Sequence, residues 1–457
     1  MTDRFKLVLI GAGSTVFTQR LVSDIILSGE ADRWELALVD IDPVTLDAVD
    51  RLVRKMLALK GVDFPIVSTT NRRDVLAGAD FVVTTIAVGG RRGWELDVHV
   101  PRKYQIYQPV GDTMMPGGIS RAMRMIPQMV AIAEDVGELC PKAHFLNYSN
   151  PMTAVCRAVR VKTGVPVIGL CHGVHYVERV LARFLGRDEG SITSFGVGLN
   201  HLTFLTHIHC NGEDAMPLLK AKVDEQRPLL RQELRHKTDW PNTVTGRPPR
   251  YSDDPFGWSM FERYDVVPVA LDRHITEFYP ERFPHGQYYG RTLGIDAFPI
   301  DGRIALGDTW YDEMLALARS ADPLPASYFE NVPGESEQLV EIMQSLLRDW
   351  RHVFSVNMPN RGAVPDLPPE AVLEMPAAAG AAGFTPLQSL ALPPALTAKL
   401  LSKIVAVEVT VEAALTGSFD MFVEALLADS SVSDPDNAAA LARDLIEAHK
   451  EHLPQFV

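Results

Sequence analysis

Four cysteines in 457 residues, Cys140, Cys156, Cys171 and Cys210, are too few for a disulfide framework. A small stapled secreted fold is therefore excluded, and Cys140, Cys156 and Cys210 read as ordinary buried thiols. Positive charge is also scarce: 44 Lys and Arg stand against 58 Asp and Glu, a formal net charge of -14. Such a surface repels nucleic acid and anionic membranes, so the expected partners are small molecules, with no nucleic acid and no membrane among them. The sequence has no apolar run of membrane-spanning length and no apolar leader ahead of its first strand, from which a cytoplasmic protein is expected. Internal repeats are absent as well. What is plentiful is core: 46% of residues are hydrophobic, and the length suits two domains that share one interface.

Strand-like runs at 5–10, 35–40, 65–68 and 80–86 alternate with helical stretches at 15–29, 43–60 and 72–77. This rhythm predicts a parallel, doubly wound sheet of the α/β class. A helix over 120–139, despite Pro127, precedes two more buried strands, Ala143–Tyr148 and Val165–Leu170. After residue 190 the pattern turns β-rich: Ser194–Cys210 reads as a hairpin sheet closing in a turn at Asn211-Gly212. Pro-, Gly- and Arg-rich loops follow at 240–257 and 280–303. Then come a helix over 336–349, a strand pair near Val353–Asn357 and Ala371–Met375, a loop or weak strand over 376–392 and a helical tail over 396–452. The expected domains are 1–190, which binds a nucleotide, and 191–457, a mixed α+β unit for substrate, metal and oligomerisation.

The chemistry-bearing residues fall at the expected strand ends. Lys6–Ile10 runs into Gly11-Ala12-Gly13-Ser14, a turn that lets backbone approach a pyrophosphate and aims the next helix N-terminus at it. The third glycine of the full dinucleotide fingerprint is Val16 here, but the second strand ends in Asp40. A carboxylate there hydrogen-bonds adenosine ribose hydroxyls and repels a 2′-phosphate, which points to NAD. Cys171-His172 ends one strand and His201 another. A thiolate with an imidazole suits a divalent ion whose remaining positions stay open to substrate oxygens. Asp272-Arg273-His274 gathers a carboxylate, a guanidinium and an imidazole, and either Asp272 or His274 is placed to act as a general base if the segment lies over the crevice. Left to themselves, these residues also fit a plain NAD-dependent 2-hydroxyacid dehydrogenase.

The ordered stretches Gly11-Ala12-Gly13-Ser14, Val39-Asp40-Ile41-Asp42, Val110-Gly111-Asp112-Thr113-Met114-Met115-Pro116-Gly117-Gly118, Asn147-Tyr148-Ser149-Asn150-Pro151-Met152, Cys171-His172-Gly173-Val174, Leu199-Asn200-His201 and Val356–Gly362 together resemble glycoside hydrolase family four. These are NAD- and Mn²⁺-dependent α-glycosidases on a Rossmann-like scaffold of lactate/malate dehydrogenase type. The resemblance implies Cys171 and His201 as metal ligands, Gly11, Gly13, Ser14, Asp40 and Asn150 for the cofactor, and Asp272 as first choice for the base. It implies His274 as second choice and His172 as an aid to leaving-group departure. Asp112, Arg124 and Asn150 would contact the sugar, and Arg273, His274 or Arg361 would hold a uronate carboxylate. It further implies hydride removal from the sugar, loss of a neighbouring proton, elimination and return of the hydride, outside the usual two-carboxylate scheme. The Cys-His pair argues for unphosphorylated α-glycosides, with the α-galacturonidase branch ahead of α-galactosidase and α-glucosidase. A homodimer or homotetramer is implied.

Overall fold

In the computed structural model, which describes residues 4–236, 249–332 and 338–456, six parallel strands form the nucleotide-binding half. They are β1 (Phe5–Ile10), β2 (Trp34–Val39), β3 (Ile66–Thr69), β4 (Phe81–Thr84), β5 (His144–Asn147) and β6 (Val167–Gly169), ordered β3-β2-β1-β4-β5-β6. This is the doubly wound order whose ligand crevice opens beyond the strands' carboxyl ends, where the order reverses beside β1. Strands covered on both faces read as continuous apolar runs rather than alternating ones. Leu7, Val8, Leu9, Phe81, Val82 and Val83 are all fully buried, which is why these strands were visible in the sequence.

The sheet does not stop at residue 190. β7 (Ile192–Leu199), β8 (Leu202–Cys210), β9 (Glu213–Asp214) and β10 (Val267–Pro268) extend it, after a separate ribbon β11 (Gln287–Tyr288) and β12 (Arg291–Thr292) come β13 (His352–Pro359), β14 (Val372–Gly380) and β15 (Gly383–Pro386). The order beyond β6 is β13-β14-β7-β8-β10, all antiparallel, with Asn357 opposite Gly169, and Glu374 opposite both Asn357 and Gly198. A Rossmann-like half thus passes into a mixed α+β half through one continuous sheet. The late helix Pro394–Thr416 packs back on Met115–Leu139 and Met152–Thr163 of the first half. Cys140, Cys156 and Cys210 are buried thiols.

Several local expectations need correction. The helix expected at 72–77 is a single turn, Arg72–Asp74, because Asn71 caps it and no amphipathic run follows. The hairpin reverses at Asn200-His201 between β7 and β8, while Asn211-Gly212 only turns the chain into β9. The stretch 376–392 is strand for its first part, completing β14 and forming β15. Residues 240–248 of the expected loop lie outside the described residues.

Candidate active site

The glycine turn after β1 is built for close approach. Gly11 has φ = 91°, and a Cβ there would lie 2.9 Å from the backbone of Thr85 and Ile86 at the end of β4, so a side chain would fill the cradle. Asp40 accepts the Gly13 N–H at 2.7 Å and the Asp42 N–H at 3.0 Å, one on each oxygen. Each oxygen retains acceptor capacity for a ribose hydroxyl. Ser14 Oγ accepts the Phe17 N–H at 3.3 Å and closes the first turn of the helix Phe17–Leu27.

Next to this cradle the segment Val110–Met114 carries Asp112 to His201. Among the described residues Asp112, His201 and His274 present ligand atoms that lie within 4.8 Å of one another. Thr113 Oγ1 donates to Asp112 at 2.7 Å and lies 2.7 Å from His201 Nδ1. A hydroxyl has one hydrogen, so Nδ1–H of His201 is the donor in the second contact, and Nε2 is the nitrogen that would bind a metal. His201 itself stands in a left-handed turn, φ = 66°, a strained conformation that costs about 1–3 kcal/mol and concentrates at functional sites. Burial works against ionisation of Asp112, but His201, His274 and Arg121 outweigh it and hold the carboxyl below its usual range. His274 is driven well below the ordinary imidazole range by burial and by His201, whose ring is 4.2 Å away, so it is neutral, and its Nδ1 is buried without a partner.

The other expected residues divide. Asn150 Nδ2 donates to Asp112 at 3.2 Å, and Asn150 Oδ1 is buried and unpartnered beside the same carboxylate. Cys171 is half-buried just beyond β6, and it is not in the group formed by Asp112, His201 and His274. His172 follows it at the surface, its ring edge-on to Tyr176. Arg273 is half-buried with Nε unpartnered.

Three residues are placed otherwise than expected. Arg124 is 1% exposed and gives both terminal nitrogens to Asp97 at 2.7 Å, with His449 2.9 Å from the same carboxylate, so its guanidinium does not face a sugar. Arg361 is exposed beside Arg160, which binds the Val167 carbonyl at the start of β6, the end away from the crevice. Asp272, first choice for the base, is fully buried. Its carboxylate accepts Phe256 N–H at 2.8 Å and Gly257 N–H at 2.6 Å from the N-terminus of the helix Pro255–Tyr264, and Tyr288 Oη at 2.5 Å. Burial raises it to about 6.

Residues the sequence did not single out complete the site. Arg121 donates to the Asn150 carbonyl at 3.1 Å and acts on Asp112, and burial depresses its pKa. Glu374 is buried on β14, accepting from Thr203 at 2.7 Å and from Asn200 at 3.4 Å, with Oε1 unpartnered and the paired Asn357 amide unpartnered as well. Burial raises it to about 7. Glu277 accepts Val110 and Gly111 N–H at 2.9 and 2.6 Å and so fixes the loop that bears Asp112. An acid three residues past His274 on a short helical turn was the available signal for it.

Burial raises Glu277 to about 8, with Asp112 adding to the effect. The folded chain therefore holds its proton, while an unfolded glutamate releases it near about 4.3. Its stability contribution is complete below the unfolded value and lost as pH rises through about 8. Glu277→Gln, which mimics the protonated acid, is expected to flatten the fall in melting temperature between about pH 5 and 9. Parallel curves for variant and wild type in thermal melts would refute this.

A dinucleotide cradle of dehydrogenase type and a carboxylate–imidazole cluster on one crevice define the class: an enzyme that joins a nucleotide site to a candidate metal site. Residues 6–187 match the family 4 glycosyl hydrolases and residues 196–432 match the family 4 glycosyl hydrolase C-terminal domain. The chain belongs to glycosyl hydrolase family 4. It is 32% identical over 389 residues to an α-galacturonidase of Thermoanaerobacterium saccharolyticum, covering 83% of this chain and 81% of the relative. It is 29% identical over 446 residues to an α-glucosidase of Erwinia rhapontici, covering 93% of each. A 6-phospho-α-glucosidase from gut microorganisms, solved with NAD and Mn²⁺, superposes with a TM-score of 0.80 at 19% identity over 100% of both chains. The malate dehydrogenase of Cryptosporidium parvum superposes with a TM-score of 0.53 at 16% identity over 90% of this chain and 99% of its own, in keeping with the dehydrogenase scaffold.

Proposed function

We propose that the chain hydrolyses unphosphorylated α-glycosides, α-hexuronides such as α-galacturonides first, with NAD⁺ and Mn²⁺ bound. The observation that carries the hexuronide reading is a pair of desolvated cations beside Asp112. Burial, and then Arg303 nearby, depresses the pKa of Arg273, and among the described residues no ion pair holds either Arg273 or Arg121. An unpaired buried cation is costly, and a substrate carboxylate relieves that cost through charge-assisted hydrogen bonds. The α-galacturonidase relative supports the same choice.

The donor sets fit both groups. Gly11, Gly13, Ser14, Asp40 and Asn150 would hold NAD⁺, and His201 with Asp112 would hold Mn²⁺, joined by Cys171 on its sequence motif. Oxygen and imidazole donors suit that ion. When bound, NAD⁺ supplies a hydride acceptor and Mn²⁺ a Lewis acid. The chain's own part is positioning and proton transfer. His274, neutral and unpartnered at Nδ1, takes a proton from the sugar carbon, and His172 at the mouth assists the leaving oxygen. Asp272, locked between the helix N-terminus and Tyr288, holds the turn that carries Arg273 and His274. The specific observation favouring a second reading is that His274 lies within the candidate metal group, where it would be a ligand instead.

Rates on p-nitrophenyl α-galacturonide, α-glucuronide, α-galactoside, α-glucoside and a 6-phosphorylated α-glucoside, with and without NAD⁺, Mn²⁺ and reductant, test the proposal. Uronides are expected to be cleaved fastest without NADH accumulating. Arg273→Met should raise KM for the uronides roughly 10- to 100-fold, the worth of a hydrogen bond to a charged group, with little change on the galactoside. Preference for a neutral or phosphorylated glycoside would replace the hexuronide reading, and stoichiometric NADH would favour a dehydrogenase.

A further inference from the structure

The helix Ile300–Arg319 belongs to the second half of the chain yet is fastened to the nucleotide corner of the first. Tyr311 Oη lies 2.7 Å from Thr45 Oγ1. Thr45 already gives its one hydroxyl hydrogen to Asp42, so Tyr311 is the donor. Asp42 in turn donates its N–H to Asp40, the carboxylate that faces the ribose position in the NAD reading. A Cβ on Gly13 would lie 2.7 Å from Asp40 Oδ2 and 2.8 Å from Thr45 Cγ2, so Thr45 forms part of the same corner.

Further contacts fix the helix along its length. Arg91 Nε donates to Asp308 at 2.6 Å, Arg92 pairs with the other Asp308 oxygen, and the Arg91 guanidinium lies 5.1 Å from the centre of the Tyr311 ring. Arg91 opens the helix Gly90–Arg102, which begins shortly after β4 beside the glycine cradle. At the far end Lys55 Nζ donates to the carbonyls of Leu317, Ser320 and Asp322 at 2.7, 2.6 and 3.0 Å. None of these groups belongs to the Asp112, His201 and His274 cluster.

We propose that Tyr311, acting through Thr45, and Asp308, acting through Arg91 and Arg92, are positioning residues that fasten this helix across the adenosine end of the crevice and slow release of the dinucleotide. The proposal rests on the reading that the Gly11–Asp40 corner holds NAD⁺. Retention suits a reaction that returns its hydride within each turnover, since the dinucleotide then has no need to leave, whereas a dehydrogenase must release it every cycle.

Stopped-flow displacement of bound NADH by excess NAD⁺, read by NADH fluorescence on the full chain, measures the release rate. Tyr311→Phe keeps the ring and removes one hydrogen bond, so release is expected to quicken roughly 2- to 12-fold, with the association rate unchanged and only a small drop in the melting temperature of the cofactor-free protein. Asp308→Asn, which loosens both arginines, should quicken it at least as much. Unchanged release in both variants, or lower melting temperatures without faster release, would overturn the latch. Failure of the wild type to bind NADH at all would overturn the nucleotide reading and the latch with it, a different outcome from binding with unaltered release.

Discussion

Alanine at His201 is expected to leave a folded chain that neither retains Mn²⁺ nor hydrolyses any glycoside. His201 is the residue common to the sequence motif, where it pairs with Cys171, and to the group observed with Asp112 and His274. Its Nδ1–H is committed to Thr113, which fixes the ring and makes Nε2 the nitrogen that would bind a metal. Outer-shell partners of a metal typically cost roughly 10- to 100-fold in affinity when removed, and loss of a ligand should exceed that. Titration of Mn²⁺ followed by the electron paramagnetic resonance of the free ion checks it, with hydrolysis assayed in parallel. Full activity of His201→Ala in the presence of chelator would end the metal proposal. Cys171→Ser then separates the two ligand sets: a large loss of affinity keeps the thiolate in the sphere, and no loss leaves Asp112, His201 and His274.

Glutamine at His274 is expected to lower kcat by roughly 10²–10⁴, the range for a lost general base, while Mn²⁺ and NAD⁺ still bind. Burial and the neighbouring His201 keep this imidazole neutral, so it accepts a proton at neutral pH without first losing one. Released sugar formed in D₂O should carry deuterium at C2. Loss of Mn²⁺ binding in the same variant would move His274 into the ligand set. Asp272→Asn is expected to behave differently, because its carboxylate accepts from three buried donors and an amide nitrogen must face at least one of them. An unsatisfied buried donor costs about 1–3 kcal/mol, so this variant should melt earlier. A stable Asp272→Asn chain with unchanged melting temperature and a collapsed kcat would restore Asp272 as the base.

Much of the first half was legible because its strands are buried on both faces and end in turn and polar residues. Gly11, Asp40 and Cys171 could be named from such strand ends alone, since in a doubly wound sheet those ends share one crevice, whereas Asn150 came with the family resemblance and His201 lies in the antiparallel hairpin turn between β7 and β8. The late segments were less readable. Arg361 sits in a polar turn like a ligand-binding loop, and only its placement beside Arg160 at the start of β6 shows that it faces away from the crevice. Arg124 and Asp272 are charged residues of the kind that line sites, yet each is buried against partners remote in sequence, Asp97 and His449 for one, Phe256, Gly257 and Tyr288 for the other.

The sequence by itself determined the class of fold, the family resemblance and the nucleotide turn, because periodicity, glycine placement and a strand-end carboxylate are local properties of the chain. Only the tertiary structure decided which ionisable groups face one another. Asp112 meets His201 because Glu277 pins its loop, and Glu374 faces Asn200 because β14 pairs with β7. Tyr311 reaches Thr45 across more than half the chain. Burial and charge proximity set protonation and pairing, and both depend on contacts between residues far apart in sequence, which no local pattern encodes.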